Sequence, residues 1–142
     1  MQIMVADGMG GGVGRNIVDS LKKADIAEEI IVVGTNSSAT SNMMKAGATA
    51  AATGESAIIY NAAHADILIG PIGIILPNAM YGEISPAIAT AIGSSPAKKI
   101  LIPVQNSHAH IVGLGALSLT QHIEEAVRIC AEWIQKFRLP NV

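Results

Sequence analysis

A short apolar run, Ile3 to Ala6, ends at Asp7 and passes into Gly8-Met9-Gly10-Gly11-Gly12-Val13-Gly14, five glycines in seven residues. Immediately after them, Val13 to Ala24 carries Ile17, Val18 and Leu21 at helical spacing with polar residues between. A strand that turns through glycine straight into a helix opens a βαβ unit, and the same alternation recurs downstream. Ile30 to Val33 is a second β-branched run closed by Gly34-Thr35-Asn36, and Ser38 to Ala46 is helical with Gly47 where a C-terminal cap belongs. Ser37 or Ser38 is the expected N-cap of that helix. Thr53-Gly54-Glu55 reads as a loop entering a helix from Ser56 to Ala63, and a buried strand follows from Asp66 to Gly70. Pro71 to Ser85 is irregular, Pro86 to Ile92 is a short helix, and Lys99 to Val104 is a strand. His108 to Val112 is expected as a further strand at the sheet edge. Ser118 and Gln121 box the start of a last helix, on which Ile123, Val127, Cys130, Ile134 and Phe137 share one face.

Right-handed crossovers turn this alternation into an α/β fold. The expectation is a single three-layer Rossmann-like domain over residues 1–142, with a mostly parallel, doubly wound sheet of about five strands. Composition agrees: 50% of residues are hydrophobic, and only 14% are charged against the ~25% of an ordinary soluble chain. Strands buried on both faces have that apolar content. The shortage of charge also leaves apolar surface to cover, so a homo-oligomer is expected. Basic residues are scattered and the net charge is −2, which argues against a nucleic-acid partner. No apolar stretch reaches the length of a membrane span, and the first residues lack the pattern of a signal peptide, so a cytoplasmic protein without a membrane partner is expected. Cys130 stands alone and reads as a buried, inert thiol.

In doubly wound sheets ligands sit outside the carboxyl ends of the strands. Those ends carry Asp7-Gly8, Gly34-Thr35-Asn36, Gly70-Pro71 and Gln105-Asn106. Ordering five glycines costs chain entropy. Turning and helix packing account for Gly8 and Gly14 but leave Gly10 to Gly12, where backbone N–H groups can close on an anion because no Cβ intervenes. The candidate binding residues are therefore Gly8, Gly10, Gly11, Gly12, Val13, Gly14 and Arg15, with Thr35 and Asn36 from the second strand end. The expected ligand is small and phosphate-bearing, with a nucleotide or dinucleotide as the cofactor class.

The dinucleotide pattern G-x-G-x-x-G fails because Val13 stands where its last glycine belongs. The P-loop fails because Arg15-Asn16 replace Lys-Ser/Thr. G-x-x-x-G-x-G does fit, on Gly8, Gly12 and Gly14, and resembles the cofactor turn of short-chain dehydrogenases. Those enzymes need Tyr-x-x-x-Lys, whereas here Tyr60 is followed by His64 and Tyr81 by Ser85. The second strand also ends in Asn36 rather than an acid for a ribose hydroxyl.

Asp7, Glu55 and Glu83 are the candidate catalytic carboxylates if the chain is a small nucleotide or nucleoside hydrolase or transferase. Asp7 has two readings, as a ligand for Mg²⁺ or a sugar hydroxyl and as a brace for the loop. Tyr81 and Glu83, in the irregular stretch, are candidates for substrate contact. His108 and His110 alternate but lack a third ligand, so no metal site is expected. An oligomeric interaction module without ligand is the remaining alternative.

The blocks Asp7-Gly8-Met9-Gly10-Gly11-Gly12-Val13-Gly14, Gly34-Thr35-Asn36, Thr53-Gly54-Glu55-Ser56-Ala57-Ile58-Ile59-Tyr60-Asn61-Ala62 and Ala65-Asp66-Ile67-Leu68-Ile69-Gly70-Pro71-Ile72-Gly73-Ile74 together resemble a family of short bacterial proteins known as a domain of unknown function. The resemblance implies a stand-alone bacterial protein and carries no activity or catalytic residues.

Overall fold

The computed structural model describes residues 1–104 and 109–138. Five strands, β1 (Gln2–Asp7), β2 (Glu29–Gly34), β3 (Ala50–Thr53), β4 (Ile67–Pro71) and β5 (Lys98–Ile102), form one sheet in the order β3-β2-β1-β4-β5. Every pairing between these five strands is parallel. The helices are α1 (Gly12–Lys23), α2 (Ser37–Met44), α3 (Glu55–His64), α4 (Pro86–Gly93) and α5 (Leu119–Arg138), and one 3₁₀ turn spans Ile72–Ile75.

Strand alternation sorts the core into two layers. Ile3, Val5, Ile30, Val32, Ile67 and Ile69 face α1, α5 and Met43 of α2. Met4, Ala6, Val33 and Leu68 face α3 and α4, meeting Ile58, Ala62, Ile88 and Ile92. Helices on both faces make the sheet doubly wound, as expected of a Rossmann-like domain. No described helix is long and apolar enough to cross a membrane.

Local details depart from the sequence expectation in five places, the last of them on α5. The strand Ala50–Thr53 is not among the expected strands, and Thr53 is expected in a loop: its three alanines have little β propensity of their own, and pairing to β2 makes the segment a strand. Of the strand expected at residues 108–112, His108 lies outside the described residues. His110 to Val112 form no strand: Val112 is 87% exposed, and Gly113 turns away with φ 86°. The strand expected to reach Val104 stops at Ile102, just before Pro103, which has no N–H for a ladder. Asn36, rather than Ser37 or Ser38, caps α2 by accepting the Ala39 N–H at 2.8 Å.

On α5, Ile123, Val127, Cys130 and Ile134 are buried as expected, but Phe137 lies in the final turn and is half exposed. The helix begins with the expected box. Gln121 Oε1 accepts the Ser118 N–H at 2.8 Å, and Ser118 Oγ accepts the Gln121 N–H at 3.2 Å.

Candidate functional site

The strand order reverses between β1 and β4, the central pair from which the chain winds outward in both directions. Connections diverge there and leave a crevice at the carboxyl ends. A cleft of about 570 Å³ occupies this position. One wall is the turn Asp7 to Val13, and the other is built from Pro71, Gly73, Asn78, Ala79, Met80, Tyr81 and Val104. The volume lies in the range of small-molecule sites.

The glycines of the turn divide by what a side chain would meet. A Cβ on Gly8 would lie 2.7 Å from Thr35 Oγ1, and one on Gly14 would lie 2.4 Å from Met43 Sδ. Gly11 caps α1 with φ 71°, and its Cβ would lie 2.7 Å from the Ala39 carbonyl. Packing therefore demands those three. Gly10 and Gly12 have nothing within 4 Å of the Cβ position and no left-handed φ. Among the described residues, the N–H groups of Gly10, Gly12 and Val13 have no hydrogen-bond partner. These amides lie at the positive end of the α1 dipole.

Asp7 is buried at the base of the turn. Its Oδ1 accepts the Gly8 N–H at 2.7 Å and its Oδ2 accepts the Gly14 N–H at 2.8 Å. Burial pushes the carboxyl above its ordinary value, the two amides pull it back, and the nearby Glu83 charge adds to the rise. Both oxygens are committed to holding the turn.

Glu83 reaches the turn from the other side. Its Oε1 accepts the Thr35 hydroxyl at 2.6 Å, the Asn36 amide at 2.7 Å and the Met9 N–H at 3.1 Å. Burial works upward on this carboxyl, but the three donors outweigh it and hold it below the usual value. Asn36 also donates to the Met9 carbonyl at 2.9 Å. Thr35, Asn36 and Glu83 thus form one polar cluster beside the cleft, joined to its wall through Met9.

The other candidates lie elsewhere. Arg15 is exposed and donates to Asn42 Oδ1 at 2.7 Å, while Asn42 donates to the Gly10 carbonyl at 2.9 Å; this pair braces the turn from outside the cleft. Glu55 starts α3 and accepts the Ser85 hydroxyl at 2.5 Å, away from the cleft wall. His110 is exposed. Gln105 and Asn106 lie outside the described residues.

The sequence reading did not single out Met80 or Asn78 as wall residues. Asn78, Met80 and Tyr81 have φ of 67°, 58° and 56°, and Gly82 follows at 89°. Left-handed conformations at non-glycine residues concentrate at ligand-contacting segments. The Pro77-Asn78 dipeptide was the available signal for a turn here. Tyr81 is 97% exposed at the lip of the cleft.

Against known proteins, no curated protein matches the chain. The crystal structure of a dodecameric FMN-dependent UbiX-like decarboxylase from Escherichia coli O157:H7 is similar in fold. It is 14% identical with a TM-score of 0.51, over 99% of this chain and 97% of that one. A family model described as Domain of unknown function (DUF3842) matches residues 2–135. The chain belongs to that family.

Proposed function

We propose that the cleft binds a small phosphate-bearing ligand, a nucleotide or phosphorylated metabolite, with its phosphate on the N–H groups of Gly10, Gly12 and Val13. The observation that carries this reading is the pairing of amides without a partner among the described residues with glycines whose Cβ positions meet nothing there. Helix N-termini with such amides favour anions, and the open space beside Gly10 and Gly12 lets a phosphate approach. Among the described residues no lysine or arginine lines the cleft, and the α1 dipole meets the charge. That arrangement suits one phosphate better than a chain of them. The FMN dependence of the structurally similar decarboxylase supports a ligand of this class, since FMN is itself a monophosphate.

Binding rather than carboxylate chemistry fits the geometry. Asp7 spends both oxygens on backbone amides, and Glu55 is paired with Ser85 outside the cleft. Exposed Ile59, Tyr60 and Leu117, with the dodecameric state of the decarboxylase, support assembly as a homo-oligomer.

The test is thermal melting of the purified protein with FMN, AMP, NAD and inorganic phosphate. At least one is expected to raise Tm, and Gly12→Ala is expected to abolish that rise without lowering the melting point of the free protein. No shift with any of them would overturn the proposal.

A further inference from the structure

Doubly wound sheets that bind nucleotides commonly place an acidic residue at the end of the second strand, where it accepts a ribose hydroxyl. Here β2 ends in Gly34-Thr35-Asn36 and supplies none. The position nevertheless holds a carboxylate, brought from elsewhere in the chain. Glu83, in the loop after β4, rests on Thr35 and Asn36 through Oε1 at 2.6 and 2.7 Å. We propose that Glu83 is the ribose-facing acid of this cleft, delivered to the end of β2 from that loop, so that the ligand is a ribonucleoside monophosphate with a free 2′,3′-diol. This rests on the phosphate-binding reading of the turn.

The two oxygens of Glu83 have different roles. Oε1 takes three donors from the protein, which fixes the position of the carboxylate. Oε2 accepts nothing from a described residue, and the Glu83 side chain is only half-buried. An immobilised carboxylate with one oxygen free is suited to accept from a diol, and a charged acceptor makes the stronger class of hydrogen bond.

The turn is shaped to admit this contact. Gly8 lines the cleft, and its missing Cβ would lie 2.8 Å from Met80 Sδ and 3.4 Å from Glu83 Oε1. A side chain there would have to displace Thr35 Oγ1 and Met80 Sδ. Met9, also on the wall, donates its N–H to Glu83 and so ties the carboxylate to the same seven residues that hold the phosphate site. The charges are ordered as well. The amides of Gly10, Gly12 and Val13, without a partner among the described residues, favour the phosphate, and Glu83 repels a second one while attracting hydroxyl donors.

The unmodified protein is to be titrated calorimetrically with the common ribonucleoside 5′-monophosphates, their 2′,3′-dideoxy analogues, FMN and inorganic phosphate. At least one ribonucleotide is expected to bind, with its dideoxy analogue at least about tenfold weaker, the loss expected when a hydrogen bond to a charged acceptor is removed. In Glu83→Gln, shown folded by its melting curve, that ratio is expected to fall below about threefold, because the charge is gone while the shape is kept. Equal affinity for the ribo and dideoxy forms, an unchanged ratio in the variant, or binding of phosphate or FMN without any ribonucleotide would overturn the assignment of Glu83 and leave the phosphate site standing. No binding by any probe would overturn both. The ligand-side comparison needs no variant, so it holds even if Glu83→Gln fails to fold.

Discussion

Glu83 Oε1 lies 2.6 Å from the Thr35 hydroxyl, which ties the loop after β4 to the end of β2 across the mouth of the glycine-rich turn. The anion is favoured in the folded protein, since its donors outweigh burial and hold it below the 4.5 of an ordinary glutamate. A lowered native value means that the stabilisation is present above 4.5 and is lost as pH falls through the native value. Glu83→Gln is therefore expected to cost about 1–2 kcal/mol near neutral pH, the range of a hydrogen-bonded charge discounted for its solvent contact. Urea denaturation of both proteins at descending pH should show the difference shrinking in acid.

Asp7 behaves in the opposite sense. Its carboxyl is raised above 3.8 in the folded state, so its ionisation favours folding least at high pH: the contribution is complete below 3.8 and declines as pH rises through the native value. Its hydrogen bonds act at any pH. Asp7→Ala strands the buried N–H groups of Gly8 and Gly14 and should destabilise by about 2–4 kcal/mol, as measured by denaturant midpoint.

Two alanine substitutions separate packing from binding. Gly14→Ala drives a methyl into Met43 Sδ and the Asp7 side chain and should cost about 1–3 kcal/mol of stability. Gly12→Ala meets open space at the first residue of α1 and should leave stability unchanged or raise it by a few tenths of a kcal/mol. Calorimetry on the second variant should show affinity for the phosphate-bearing ligand reduced by about tenfold or more, the equivalent of about 1.4 kcal/mol.

Cys130 is fully buried on α5, and burial first, then the Glu28 charge, pushes its thiol up to about 11. A thiol attacks as thiolate. Native protein is expected to resist a disulfide reagent at about pH 8, with one equivalent reacting promptly after unfolding; prompt reaction of the native protein would contradict the burial.

The strand runs Ile3 to Ala6, Ile30 to Val33 and Ile67 to Ile69 were legible because continuous aliphatic segments announce strands covered on both faces. The glycine turn was legible because it joined such a run to an amphipathic helix. Ala50–Thr53 was not, since an edge strand of small residues owes its conformation to its neighbour rather than to its side chains. In the candidate site, the wall from Asp7 to Val13 could be named in advance, but the company Glu83 keeps could not. No spacing rule brings residue 83 to residues 35 and 36; the left-handed backbone at Asn78, Met80 and Tyr81 does.

The position of β1 at the centre of the sheet also sets the order in which the molecule can be built. Ile3 pairs with Ile30 on one side and with Ile67 on the other. During synthesis, a nascent chain that has passed Thr53 already holds β1, β2 and β3, yet the far edge of β1 stays bare until β4 emerges. Parallel pairing over such a distance is slow, and an open edge running through Ile3 to Ala6 invites a second nascent chain. The cleft is thus a late product of assembly, because one wall follows β1, the other follows β4, and Val104 takes its place only after β5.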